Sequence, residues 1–170
     1  MNRKGFTLIE LLVVIAIISI LLTISVINFS SWLKRQSIDR QVKEMSVDIM
    51  SMRQRAIVTG QNYTVQFPDA ATLVFKRYSS SSDIGTEVQR KSLRFPVVLS
   101  TAGAIRFTGR GMMLDDTTLS PVEKVVCVFT DANPSTDALV ITPTRVSKGT
   151  IINQGSKNAA ACTKANIEIK

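Results

Sequence analysis

The side chains able to do chemistry fall into a few groups. Asp115 and Asp116 are adjacent carboxylates, the residue type for general acid and base work. Asp131, Asn133, Thr136 and Asp137 put several oxygen ligands into one stretch, as a calcium loop would. Cys127 and Cys162 are the two thiols, and Glu10 is a lone carboxylate at the edge of an apolar run. Arg145, Lys148, Lys157, Lys164 and Lys170 are dispersed cations near the end of the sequence, opposed there by Glu168 alone. The first two groups have plainer readings. A polar turn around Pro134 accounts for the oxygen cluster, because the EF-hand spacing and its terminal Glu are missing. Asp115-Asp116 reads as a loop pair before it reads as an acid-base pair. With no His in the chain, Ser-His-Asp and Cys-His catalysis, histidine metal sites and zinc-peptidase helices are excluded. No Walker lysine loop or dinucleotide glycine signature occurs. The expectation is a non-enzyme with no cofactor and no metal.

The elements that must position the remaining groups are read from pattern. The 170 residues are 45% hydrophobic and 20% charged, which suits one folded unit rather than a disordered tail. There are 21 Lys+Arg against 13 Asp+Glu, a net charge of +8 that favours an anionic partner or surface. From Leu11 to Ile27 no residue is charged. As a helix this stretch spans about 26 Å, close to the roughly 30 Å hydrocarbon core of a bilayer. Arg3 and Lys4 precede it and belong on the cytoplasmic side, which sends the rest of the chain outward. A cleaved secretory signal fits badly, since no small-residue cleavage site follows and Asn28 to Arg35 leads into more helical sequence. Glu10 needs a reason, because an unpaired carboxylate in lipid costs about 2.5 kcal/mol or more.

Beyond the apolar run, Ile38, Val42, Met45, Ile49, Met52 and Ala56 recur at helical spacing with charged residues between them, one apolar stripe on a water-exposed helix. Met45, Met50 and Met52 read as core filler. Gly60 is a stop signal, so a helix over 6–59 is expected, about 80 Å long. From Gln61 the period shortens to two. Tyr63 to Phe67 and Leu73 to Tyr78 form a hairpin about Pro68-Asp69, and strands are expected over 88–94, 97–99, 104–107, 125–130, 138–142 and 150–152. The fold class is therefore α+β: a long N-terminal helix, its first half apolar and its second amphipathic, packed on a C-terminal antiparallel sheet or small β-sandwich.

Met1 to Leu12, MNRKGFTLIELL, resembles the signal of type IV pilins and type II secretion pseudopilins: a basic leader, Gly, Phe, then Glu five positions into the mature chain. The resemblance implies a leader over 1–5 removed by prepilin peptidase between Gly5 and Phe6, and methylation of the new Phe6 amine. It implies a retained helix over 6–59 with a transmembrane segment at about 8–28, and a β-rich head over 60–170. It also implies that Glu10 pairs with the Phe6 ammonium of a neighbouring subunit during assembly. The chain would be inserted in the inner membrane with its N-terminus cytoplasmic and its head periplasmic, then join or initiate a pilus or pseudopilus. Its partners would be other pilin or pseudopilin subunits, prepilin peptidase and the inner membrane. Within these families the stretch DIMSMRQRAIVTGQNYTVQF (48–67) and the segment from Cys127 to Cys162 are similar to the type II secretion minor pseudopilin H and the type IV minor pilins FimT and FimU. The family turn usually reads Gly-Arg, where this chain has Pro143-Thr144-Arg145.

Two cysteines in an extracytoplasmic head suggest one disulfide, since the periplasm is oxidising. The FimT resemblance also implies an alternative function, binding of DNA during uptake, with Arg145, Lys148, Lys157 and Lys164 as candidate contacts. Little aromatic interleaving follows Phe129 to support it.

Overall fold

The computed structural model describes residues 6–79, 84–155 and 157–170, with residues 24–28 described by their backbone only. Helix α1 runs unbroken over Leu8–Thr59. Its start is set by Thr7, whose extended backbone (φ −82°, ψ 152°) turns the chain into the helix. Its end is set by Gly60, whose φ of 66° is the left-handed conformation that only glycine adopts without strain. Ile38, Val42, Met45, Ile49, Met52 and Ala56 are all buried, as their spacing predicts. Met50 departs from the expectation: it lies off the buried stripe and is exposed.

Among the described residues, ten short strands follow. β1 (Asn62–Asp69) and β2 (Thr72–Tyr78) form the hairpin, but its tip is Ala70-Ala71 rather than Pro68-Asp69. Pro68 stays within the strand, where the ladder register shifts between Gln66 and Asp69 because proline has no N–H to give. The Asp69 carboxylate then accepts from Ala71 N at 2.7 Å and closes the turn. β3 (Thr86–Ser92), β4 (Val98–Leu99), β5 (Ile105–Phe107), β6 (Met113–Asp115), β7 (Lys124–Cys127), β8 (Ala138–Ile141), β9 (Val146–Ile151) and β10 (Ile167–Ile169) complete two five-stranded antiparallel sheets, ordered β3-β2-β1-β5-β6 and β10-β9-β8-β7-β4.

The apolar stripe of α1, the inner face of the first sheet (Tyr63, Val65, Leu73, Phe75, Ile105, Phe107) and one face of the second (Val126, Leu139, Ile141) make one core. The other face of the second sheet is not solvated. Val125, Cys127, Ala138, Val140 and Ile151 lie there under Cys162 and Ile167 of the C-terminal segment. Burial on both faces explains why β7 and β8 read as continuous apolar runs, VVC and ALVI, instead of alternating.

Side chains on α1 tie the head to the helix. Gln41 donates to Phe95 O at 2.8 Å and accepts from Phe95 N at 2.9 Å, completing the hydrogen bonding of a loop that has no strand neighbour there. Asp39 accepts from Thr136 N at 2.6 Å and from its hydroxyl at 3.0 Å. Arg53 donates to Gly111 O at 2.6 Å and Thr144 O at 2.8 Å, gathering two turns against the last part of the helix.

Candidate processing and assembly site

Phe6, Thr7 and Glu10 stand at the start of α1. The backbone N–H groups of a first helical turn lack intrahelical acceptors, and here two are served reciprocally. Thr7 Oγ1 accepts from Glu10 N at 3.3 Å, and Glu10 Oε2 accepts from Thr7 N at 3.4 Å. The signal for this capping box is Thr-x-x-Glu before an apolar run. It gives Glu10 a local role within its own chain and keeps the carboxylate at the solvent-facing helix start, beside an exposed Phe6. Gly5, the other residue of the expected cleavage site, lies outside the described residues.

From Leu8 to Leu22 every large apolar side chain is exposed. That surface is unfit for water and must be covered by lipid or by other apolar helices. Among the described residues, no helix is long and apolar enough to cross a membrane.

Cys127 and Cys162 form a disulfide, with S–S 2.08 Å and Cα–Cα 5.9 Å, buried in the second cluster described above. It fastens the C-terminal segment over the outer face of β7 and β8.

The four candidate phosphate contacts are not brought to one face. Lys148 sits opposite Leu139 in the ladder and so shares the side of the second sheet that meets the helix. Lys157 and Lys164 belong to the segment covering the other side. Each of these two has a carboxylate partner, Asp131 at 2.8 Å and Glu123 at 2.9 Å. Arg145 occupies the β8–β9 turn beside the carbonyl held by Arg53. Arg145 and Lys148 have no ion pair among the described residues.

The oxygen-rich stretch disperses too. Asp131 takes Lys157, Thr136 donates to Asp39, and Asp137 accepts from Ile151 N and Gln154 Nε2, each at 2.7 Å. Desolvation pushes the Asp137 carboxyl up to about 6 in spite of those donors. Among the described residues no group of acidic or cysteine side chains could hold a metal ion. Asp115 and Asp116 are structural partners of cations. Asp116 accepts from Arg106 at 2.6 Å, and Asp115 takes the buried Lys124 ammonium at 2.9 Å. The Lys124 hydrogen bond, then backbone donors at Thr118 and Thr117, lower the Asp115 carboxyl to about 2.

No curated protein and no solved structure matches the chain. Residues 1–26 match the family model described as the prokaryotic N-terminal methylation motif. That motif, at the head of a long helix packed on antiparallel sheets, indicates a type IV pilin-like protein.

Proposed function

We propose that the chain is a minor pilin or minor pseudopilin: a structural subunit inserted in the inner membrane, cut by prepilin peptidase between Gly5 and Phe6, and then drawn into a pilus or pseudopilus. The observation that carries this is the helix start, where an apolar surface exposed on all sides begins with Phe6 and a single carboxylate. Moving such a helix from lipid into a bundle of like helices exchanges one apolar surrounding for another and exposes nothing to water. The carboxylate then supplies register. In a low-dielectric bundle an unpaired Glu10 is strongly unfavourable, so a subunit docks stably only where a cation meets it. A methylated Phe6 ammonium of a neighbour is that cation. The capping box supports the same reading, since it keeps the Glu10 side chain folded toward the helix start until a partner arrives.

The test compares wild type with Glu10→Val in cells carrying prepilin peptidase. Mass spectrometry of the wild type should find a chain beginning at methylated Phe6, and co-purification of other filament subunits should fall at least tenfold in the variant while the head stays folded. An intact Met1 terminus, or unchanged co-purification, overturns the proposal. The alternative of a DNA-binding minor pilin must draw on Arg145 and Lys148, the two candidate cations without carboxylate partners among the described residues.

A further inference from the structure

Two loops of the head reach α1 close to the end of its apolar half. The loop carrying Arg94 and Phe95 is bound at Ser37 and Gln41, and the loop before β8 is bound at Asp39. This end of the head is rich in cations. Lys34 and Arg35 lie on the helix itself. Arg94 stands with its guanidinium 5.6 Å from the Phe95 ring centre. Lys157 reaches Asp131, and Lys170 Nζ donates to Ser135 O at 2.8 Å. Asp131 is held below the usual carboxylate range by the Lys157 hydrogen bond first, and Lys34 is near enough to add to the effect. The acidic neighbours at this end are Asp131 and Glu168, the latter opposite Thr150, whose hydroxyl donates to Ser135 O. Asp39 is already taken by Thr136, and Asp131 by Lys157. Among the described residues at this end, Lys34, Arg35, Arg94 and Lys170 thus face the one remaining carboxylate, Glu168.

Just before the cations on the helix stand two aromatic rings. Phe29 and Trp32 stack at 5.8 Å, and both are more than half exposed, at 58% and 54%. Helix geometry places them. From Leu8 to Trp32 the rise is about 36 Å, so a helix whose start is at one edge of a roughly 30 Å hydrocarbon core delivers Trp32 a few ångströms beyond the other edge. That is the depth at which tryptophan and its amphipathic ring are favoured. The anchoring positions Ser37 and Asp39 lie a further 8 to 10 Å along, about one Debye length or less from the lipid phosphates.

We propose that this end of the head is a phospholipid-binding collar: Phe29 and Trp32 lie among the headgroups, and Lys34, Arg35, Arg94 and Lys170 face the phosphates of anionic lipid. It rests on the membrane-inserted reading above and deepens it by naming the lipid chemistry and the residues. The collar holds the head upright against the bilayer before assembly, and extraction into a filament has to break it.

Trp32 is the chain's single tryptophan, which makes it a specific donor for energy transfer to labelled lipid. The full chain is reconstituted into vesicles holding a small fraction of dansyl phosphatidylserine or dansyl phosphatidylcholine. Transfer to the anionic lipid should exceed transfer to the zwitterionic one by about twofold or more at low salt. The excess should vanish at 1 M salt, where the Debye length is about 3 Å. It should also vanish in the triple variant K34Q, R35Q, R94Q, and fall in the pair K34Q, R35Q, which leaves the Arg94 contact with Phe95 intact. A chain that floats with vesicles but transfers equally to both lipids overturns the collar, leaves the membrane reading standing and assigns the cations to a protein or nucleic-acid partner. A floating chain whose Trp32 stays fully open to aqueous acrylamide overturns the ring placement. A chain that does not float with vesicles overturns both readings.

Discussion

Replacing Asp115 with Asn removes one half of an ion pair whose other half cannot retreat to water. Lys124 lies on β7 opposite Ile141, its side chain 4% exposed, with Nζ bonded to Asp115 Oδ2 at 2.9 Å and to Ala102 O at 3.0 Å. Asp115 ends β6 in the other sheet, so the pair links the two sheets across the core edge. Its carboxyl falls from an ordinary 3.8 to about 2 on folding. A lowered carboxyl stabilises the fold above its unfolded value, and that contribution is lost as pH falls through the folded one. The linkage amounts to about 2 kcal/mol at pH 7, about 1 at pH 3 and well under 1 at pH 2. Asp115→Asn should therefore unfold in urea with a deficit of about 2 kcal/mol or more at pH 7, the excess coming from the stranded ammonium. The deficit should shrink toward zero by pH 2. Adding Lys124→Met should recover most of it, since a buried pair replaced by apolar side chains is often near neutral. A deficit that stays constant from pH 7 to pH 2 would refute the reasoning, because the loss would then lie in packing or turn geometry and not in charge.

Asp137 moves the other way: its carboxyl is raised to about 6 by burial, so stability should fall as pH rises from about 4 to 6, by about 3 kcal/mol at most. Urea unfolding at pH 4.5 and 7 reads this slope, which Asp137→Asn should flatten; an unaltered slope assigns it to another group. Replacing both Cys127 and Cys162 with Ala opens a 35-residue loop and should cost about 4 kcal/mol, seen as a drop in urea midpoint that matches wild type under reducing conditions. For the DNA alternative, titration with duplex DNA at low salt should show binding weakened by R145Q and K148Q and little changed by K157Q and K164Q, whose cations are already paired. Equal losses from all four would mean that the ion pairs open and the patch forms on contact.

Much of this was legible because it is local. The buried stripe of α1 follows from side chains that recur every three or four residues, and it holds whatever packs against it. Gly60 ends the helix through its own φ, and the Thr7–Glu10 capping box needs only a span of four residues. β6 and β10, by contrast, are three residues long and exist only because β5 and β9 offer partners; Met113–Asp115 and Ile167–Ile169 carry no period of their own. β9 begins at Val146, four residues ahead of the strand expected from Thr150, because pairing with β8 recruits Ser147 and Lys148.

The helix, its apolar and amphipathic halves, the hairpin and the processing motif are all local, since each depends on neighbours within a few residues. Tertiary structure alone decided which charges meet. Lys157 and Lys164 stood beside Arg145 and Lys148 as a row of cations in sequence, yet the fold sets the covering segment on the far side of a sheet and gives each of its two lysines a carboxylate. Asp131, Thr136 and Asp137 stood together as ligands, yet their partners come from three separate elements. Charge pairing falls off over a few ångströms of space and takes no account of separation along the chain, so only the packed fold could assign these groups.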